Sequence, residues 1–212
     1  MKAPSYAHKH FPFIKFTDFG YSEMPDYFNV VREPAERLRS LFESHLKEER
    51  NKTDNDLTPL DECVRDPKCI HFWSQMRYNA LPFFCGTADI CVTDSAESLE
   101  KAKDNIDKYY GPVGLNEDLA SFMEMLEFTY PTRLSGVSKI LAKLVKQKTK
   151  RNESKYKYGA SQETRDILNN VIFKHEHELY KFVKQRFYDQ YSEMKDLKSC
   201  MKMTDIKKAC KL

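Results

Sequence analysis

No stretch of this sequence approaches the roughly 20 consecutive apolar residues that a helix needs to cross a bilayer. Its first residues also lack the charged-then-apolar pattern of a secretory leader. Taken alone, these absences would keep the chain in the cytosol. Internal repeats are missing too, which excludes solenoids and propellers. Charge of one sign is not in large excess: 35 Lys and Arg stand against 32 Asp and Glu, for a net +3. Any attraction to a polyanion must therefore come from where the charges are placed. What is present fits one ordered domain with a sizeable core, since 41% of the 212 residues are hydrophobic and 13% aromatic.

The cysteines argue against the cytosol. Cys63 and Cys69 bracket five residues (CVRDPKC), Cys85 and Cys91 bracket five more (CGTADIC), and each loop carries a turn-former, Pro67 or Gly86. Two equal small loops read as two local disulfides, which belong to an oxidising compartment. A zinc site drawing on nearby His71 is the competing account, although structural zinc ligands are usually spaced by two to four residues; free buried thiols are a third. Two glycosylation sequons, at Asn51 and Asn152, point to a lumenal setting as well.

Asp26 to Val31 (DYFNVV) reads as a short buried strand, and Pro34 then suits the first turn of a helix in which Leu38, Leu41, Phe42 and Leu46 recur at helical spacing through about Glu49. A helical turn is expected near His71 to Arg77. Ser95 can cap a helix carrying Leu99, Ala102 and Ile106 on one face. Tyr109 to Gly114 (YYGPVG) reads as a second core strand despite its proline. Asn116 is a suitable cap for the next helix, with Leu119, Phe122, Met123 and Leu126 in register, and Pro131 stops it. Val137, Ile140, Leu141, Leu144 and Val145 form another apolar stripe. A last long helix from about Gln162 to Met194 is expected to bury Ile167, Leu168, Val171, Ile172, Leu179, Phe182, Val183 and Phe187. Strand–helix alternation with few strands predicts an α/β sheet flanked by helices, with a helical C-terminal half.

Three features could carry chemistry. In "HKHFPFIKF" the paired His8 and His10 share one face of an extended segment ahead of an alternating apolar run, which suits either a catalytic base with a helper or a solvated strand entrance. Arg32, at the carboxyl end of a strand with a helix N-terminus just beyond, occupies an anion-binding position, where a guanidinium fork and helix amides could act together. Ser40, about two turns along, could add a hydroxyl; a structural ion pair for Arg32 is the alternative. Finally, Lys139 to Lys157 holds eight Lys or Arg and one acid, Glu153, which is either a solvated face or a surface for a sulfated or phosphorylated ligand.

In order along the chain, HKHFPFIKFTDFG, YFNVVREPAERLRS, LDEC, LPFFCG with a cysteine six positions on, and VGLNEDLASFMEMLE ahead of Pro131 resemble the heparan sulfate 2-O-sulfotransferase and uronyl 2-O-sulfotransferase family. The resemblance covers nearly the whole chain. It implies a sulfotransferase-type, P-loop-like parallel sheet, and transfer of a sulfuryl group from 3′-phosphoadenosine 5′-phosphosulfate (PAPS) to the 2-hydroxyl of a uronic acid in a glycosaminoglycan, without a metal. By the same resemblance His10 is the base and His8 its support, a role that a neutral imidazole with a pKa of about 6.5 can fill at mildly acidic pH. Arg32 and Ser40 match the family's 3′-phosphate pair, Cys63–Cys69 and Cys85–Cys91 its two short disulfides, and Arg151, Lys155 and Lys157 fall where a late loop closes on the nucleotide. The resemblance further implies a Golgi-lumenal, membrane-anchored protein and the trimer typical of the heparan enzymes.

Three departures from the family's pattern accompany these matches. The family's first strand and phosphosulfate loop, with its lysine, are expected ahead of His8 and are not in this sequence. An N-terminal truncation that also removes the anchor would account for both. Lys9 stands between the histidines, where some relatives have a small residue. The segment after Ser40 (LFESHLKEERNKTDNDL) is less basic than in the heparan enzymes and leans toward a chondroitin or dermatan substrate. Cys200 and Cys210 have no counterpart assigned. The expected organisation is a sulfotransferase domain over residues 1–195 and a basic tail over 196–212. The rival readings are a catalytically inactive, sulfotransferase-like polyanion-binding protein and a disulfide- or zinc-stapled helical interaction domain.

Overall fold

The computed structural model describes residues 11–48, 60–74, 79–148 and 160–202. Its centre is a parallel pair of strands, β1 (Tyr27–Val31) and β2 (Tyr110–Leu115), with Asn29 beside Val113 and Val31 beside Leu115. β2 is covered on both faces, with Tyr110, Val113 and Leu115 all under 9% exposed, as expected of a parallel strand between helices. Gly114 is obligatory in it, because a Cβ there would lie 2.2 Å from the Phe122 ring. The pairing register shifts between Tyr27 and Asn29, opposite Gly111 and Pro112, where proline has no N–H to give to a ladder.

Parallel strands need a long crossover, which among the described residues carries α1 (Pro34–Glu48), α2 (Leu60–Cys63), α3 (Pro67–Ser74), α4 (Ala80–Cys85) and α5 (Ala96–Tyr109). Pro34 and Pro67 open their helices at the position where a missing N–H costs nothing. Ser95 caps α5 in a reciprocal box with Ser98, as its position predicted. After β2 come a 3₁₀ turn (Asn116–Asp118), α6 (Leu119–Thr129) and α7 (Val137–Lys148). The cap of α6 is Asp118, which accepts from the Ser121 N–H at 3.2 Å, and not Asn116, which instead opens the 3₁₀ turn.

The single C-terminal helix expected from periodicity is broken in the structure. α8 (Gln162–Ile167) passes into a wide π turn (Leu168–Ile172), and α9 (Lys174–Lys202) starts afresh after Phe173. The break lets Leu168 and Phe173 both reach the interior, at 0% and 2% exposure, and it leaves Val171 outside at 72%. α7 also departs from expectation: Ile140, Leu144 and Val145, expected under cover, are each at least half exposed.

Two apolar clusters result. One surrounds the sheet and gathers Phe84, Ile106, Leu115, Phe122, Leu179, Val183 and Phe187; the other packs Leu38, Phe42, Leu60, Trp73, Leu168 and Phe173 beneath α1. Each side chain of this size contributes about 1.5–3 kcal/mol when fully buried. One disulfide belongs to each cluster, Cys85–Cys91 to the first and Cys63–Cys69 to the second, with Cα separations of 5.4 and 5.2 Å. Zinc and free thiols are thereby ruled out at these four cysteines. Cys200 is oxidised as well, and Cys210 lies outside the described residues. Among the described residues no helix is long and apolar enough to cross a membrane.

Candidate functional site at the carboxyl ends of the strands

Because Val31 pairs with Leu115 in parallel, the segments that follow them, Arg32-Glu33 and Asn116-Glu117, leave the sheet side by side. Crevices at this end of an open α/β sheet are where ligands bind in such folds. Arg32 is half-buried there, and Ser40 is half-buried on α1, on the side of the helix away from Ala35, Leu38 and Phe42. Among the described residues no hydrogen bond or ion pair engages the Arg32 guanidinium or the Ser40 hydroxyl. The structural ion pair that sequence reasoning allowed for Arg32 does not form among these residues.

The neighbouring arginines are committed elsewhere. Arg37 reaches Asn79 at 2.9 Å and the Glu176 carboxylate at 3.1 Å, and stands 5.6 Å from the centre of the Phe173 ring. Glu176 is 3% exposed and also accepts the Ala80 N–H at 3.0 Å. Burial pushes its carboxyl up from the ordinary range against the opposing pull of Arg37 and that amide. Arg39 pairs with Glu36 and Glu43 on its own helix, and Arg165 from α8 joins Glu36. Of the arginines between residues 32 and 39, Arg32 alone has its charge directed at no acid among the described residues.

Contrary to the expectation from sequence, the backbone amides at the start of α1 are taken by protein side chains. The Glu33 N–H donates to Glu117 Oε1 at 3.0 Å, the Ala35 N–H to Asn169 Oδ1 at 3.2 Å, and the Glu36 N–H to Glu33 Oε2 at 2.8 Å, while Pro34 has none. With the first turn satisfied by side chains, an anion here is left to the Arg32 and Ser40 side chains. The second Glu117 oxygen accepts the Tyr180 hydroxyl at 3.4 Å. Burial and the Glu117 carboxylate both hold that phenol above its ordinary pKa. His177 Nδ1 lies 3.8 Å from Glu33 Oε1, both atoms buried and without a hydrogen bond, and burial followed by Lys181 lowers the imidazole pKa.

Sequence reasoning named Arg32 and Ser40 and missed Glu33, Glu117, Asn169, Glu176 and Tyr180. In the sequence they are ordinary polar residues up to 139 positions from their partners. His8, His10, Arg151, Lys155, Lys157, Asn51 and Asn152 lie outside the described residues. Among the described residues no group of three or more His, Cys, Asp or Glu side chains is placed to hold a metal ion.

No protein-family model matches the chain. Individual proteins do. A Xenopus laevis protein named heparan sulfate 2-O-sulfotransferase 1 is 30% identical over 195 residues, which is 87% of this chain and 53% of the relative. The Homo sapiens protein of the same name is 29% identical with the same coverage. A Drosophila melanogaster protein named heparin sulfate O-sulfotransferase is 31% identical over 196 residues, 87% of this chain and 54% of its own length. The chain thus spans about half the length of the curated relatives it matches. Similarity over this much of its length, on a mixed α/β fold with a parallel sheet and two short disulfides, relates the chain to the heparan sulfate 2-O-sulfotransferases.

Proposed function

We propose that this chain is the nucleotide- and acceptor-binding part of a Golgi-lumenal glycosaminoglycan 2-O-sulfotransferase that uses PAPS as donor. The observation that carries the reading is Arg32: a half-buried residue at the carboxyl end of a parallel strand, paired with no acid among the described residues, with the Ser40 hydroxyl on the following helix also without a hydrogen-bond partner among them. A guanidinium fork suits phosphate oxygens, and here it receives the 3′-phosphate of the nucleotide. Arg151, Lys155 and Lys157 add positive charge from the later loop.

In the reaction, the 2-hydroxyl oxygen of a uronic acid forms a bond to the donor's sulfur. The bond from sulfur to the 5′-phosphate oxygen breaks, adenosine 3′,5′-bisphosphate (PAP) leaves with the electron pair, and the hydroxyl proton passes to His10, supported by His8. Heparan sulfate is the acceptor named by the relatives, and chondroitin or dermatan sulfate is the alternative raised by the weakly basic segment after Ser40. The sulfotransferase domain spans residues 1–195 with a basic tail at 196–212, glycans sit at Asn51 and Asn152, and the assembly is a trimer.

A second reading, an inactive polyanion-binding protein, is favoured by α7, where Lys139, Lys143 and Lys146 are all exposed and the helix contains no acid. Calorimetric titration with PAP tests the nucleotide reading. Replacing Arg32 with Ala should weaken binding by tenfold or more, given about 1.5–3 kcal/mol for a charge-assisted hydrogen bond. Equal affinity in the two proteins would place the phosphate elsewhere.

A further inference from the structure

We infer that Glu117 is a positioning residue for the 3′-phosphate contact, acting through the backbone of Arg32. The inference rests on the proposal that Arg32 binds that phosphate. The Glu33 N–H that Glu117 Oε1 holds at 3.0 Å belongs to the same rigid peptide plane as the Arg32 carbonyl. Fixing that N–H fixes the direction in which the chain turns out of β1, and with it the base from which the Arg32 side chain projects.

Glu117 is itself doubly anchored. It follows β2 by two residues, in the 3₁₀ turn Asn116–Asp118, and its other oxygen accepts the Tyr180 hydroxyl from α9 at 3.4 Å. Tyr180 is 8% exposed and so cannot swing freely. One carboxylate therefore ties the end of β1 to the end of β2 and to α9, at the point where the candidate anion site begins. The electrostatics alone argue against a carboxylate there, because an acid beside an anion site repels the ligand it should serve. Its geometric role supplies the compensating reason: two acceptor oxygens aimed at a backbone amide and a hydroxyl. A glutamine side chain could take the same amide bond without the charge.

Glu117 is solvent-exposed, so truncating it removes no apolar packing of its own, and circular dichroism of each variant checks that the fold is kept. The experiment is calorimetric titration of the wild type, Glu117→Ala, Glu117→Gln and Arg32→Ala with PAP and, in parallel, with adenosine 5′-monophosphate, which lacks the 3′-phosphate. Glu117→Ala should lose on the order of fivefold in PAP affinity, the usual size for a single hydrogen bond, with monophosphate binding unchanged. Glu117→Gln should keep PAP affinity within about twofold, since the acceptor for the Glu33 amide is retained. Unchanged PAP binding in Arg32→Ala would refute the underlying phosphate assignment, whatever Glu117 does. If Arg32→Ala weakens binding while Glu117→Ala does not, the positioning role is wrong. Equal losses for both nucleotides in Glu117→Ala, or a Gln variant as weak as the Ala variant, would overturn it as well.

Discussion

Glu176 shows how one side chain can hold three helices in register. From the first turn of α9 it accepts the Ala80 N–H at the start of α4 and pairs with Arg37 on α1, at 3.0 and 3.1 Å. Removing one partner of a buried ion pair leaves the other charged and unsolvated, at a cost of about 3–5 kcal/mol. Glu176→Ala should therefore lower the unfolding free energy by an amount in that range, and Glu176→Gln, which can still accept the amide, should cost less; chemical unfolding followed by circular dichroism reads both as shifts of the denaturant midpoint. At this scale the sequence exposed only part of the site. Arg32 and Ser40 were legible because strand end, proline and helix lie within a few residues of each other. Glu117, Asn169 and Glu176 were not, because their partners are 84, 134 and 139 positions away and nothing local marks them.

Among the elements, α1 and α8 are joined by charge as well as by apolar packing. Burial alone would raise the Glu36 carboxyl, but hydrogen bonds and charges from Arg39 and Arg165 overcome this and hold its pKa below the ordinary 4.5. A carboxylate whose folded pKa is depressed stabilises the fold above its unfolded value, and the contribution disappears as pH falls through the folded one. The melting temperature should thus decline as pH drops below about 4.5, the ordinary carboxylate range, and Glu36→Gln should decline less steeply over that window; thermal melts at stepped pH measure the difference. An identical slope in the variant would assign the acid sensitivity to other carboxylates, such as Asp61, which hydrogen bonds from Thr164 and the Ser161 N–H also hold low.

Element identity was largely readable from local pattern: both strands, the proline-opened α1, the Ser95 cap and the end of α6 before Pro131 all depend on neighbours in sequence. The π turn at Leu168–Ile172 was not readable, since it exists to deliver Phe173 to a core assembled from α1 and α3. The exposed face of α7 misled for a related reason: an apolar stripe at helical spacing states what a helix could bury and leaves open what lies opposite.

Over the whole molecule, a two-stranded parallel sheet sets Arg32 and Glu117 together, two disulfides staple the two apolar clusters, and the resemblance read from five ordered motifs agrees with relatives about 30% identical over 87% of the chain. The molecular claim that unites these features is sulfuryl transfer with His10 as base. The most direct measurement uses the full-length protein with ³⁵S-labelled PAPS and desulfated heparan sulfate or dermatan acceptors, followed by disaccharide analysis of the product. Label is expected on the 2-position of uronic acid, with a loss on the order of a hundredfold in rate for His10→Ala, the usual scale for a general base, and PAP affinity little changed. Transfer at the wild-type rate without His10, or heparin binding through the α7 lysines with no transfer by the wild type, would contradict that claim.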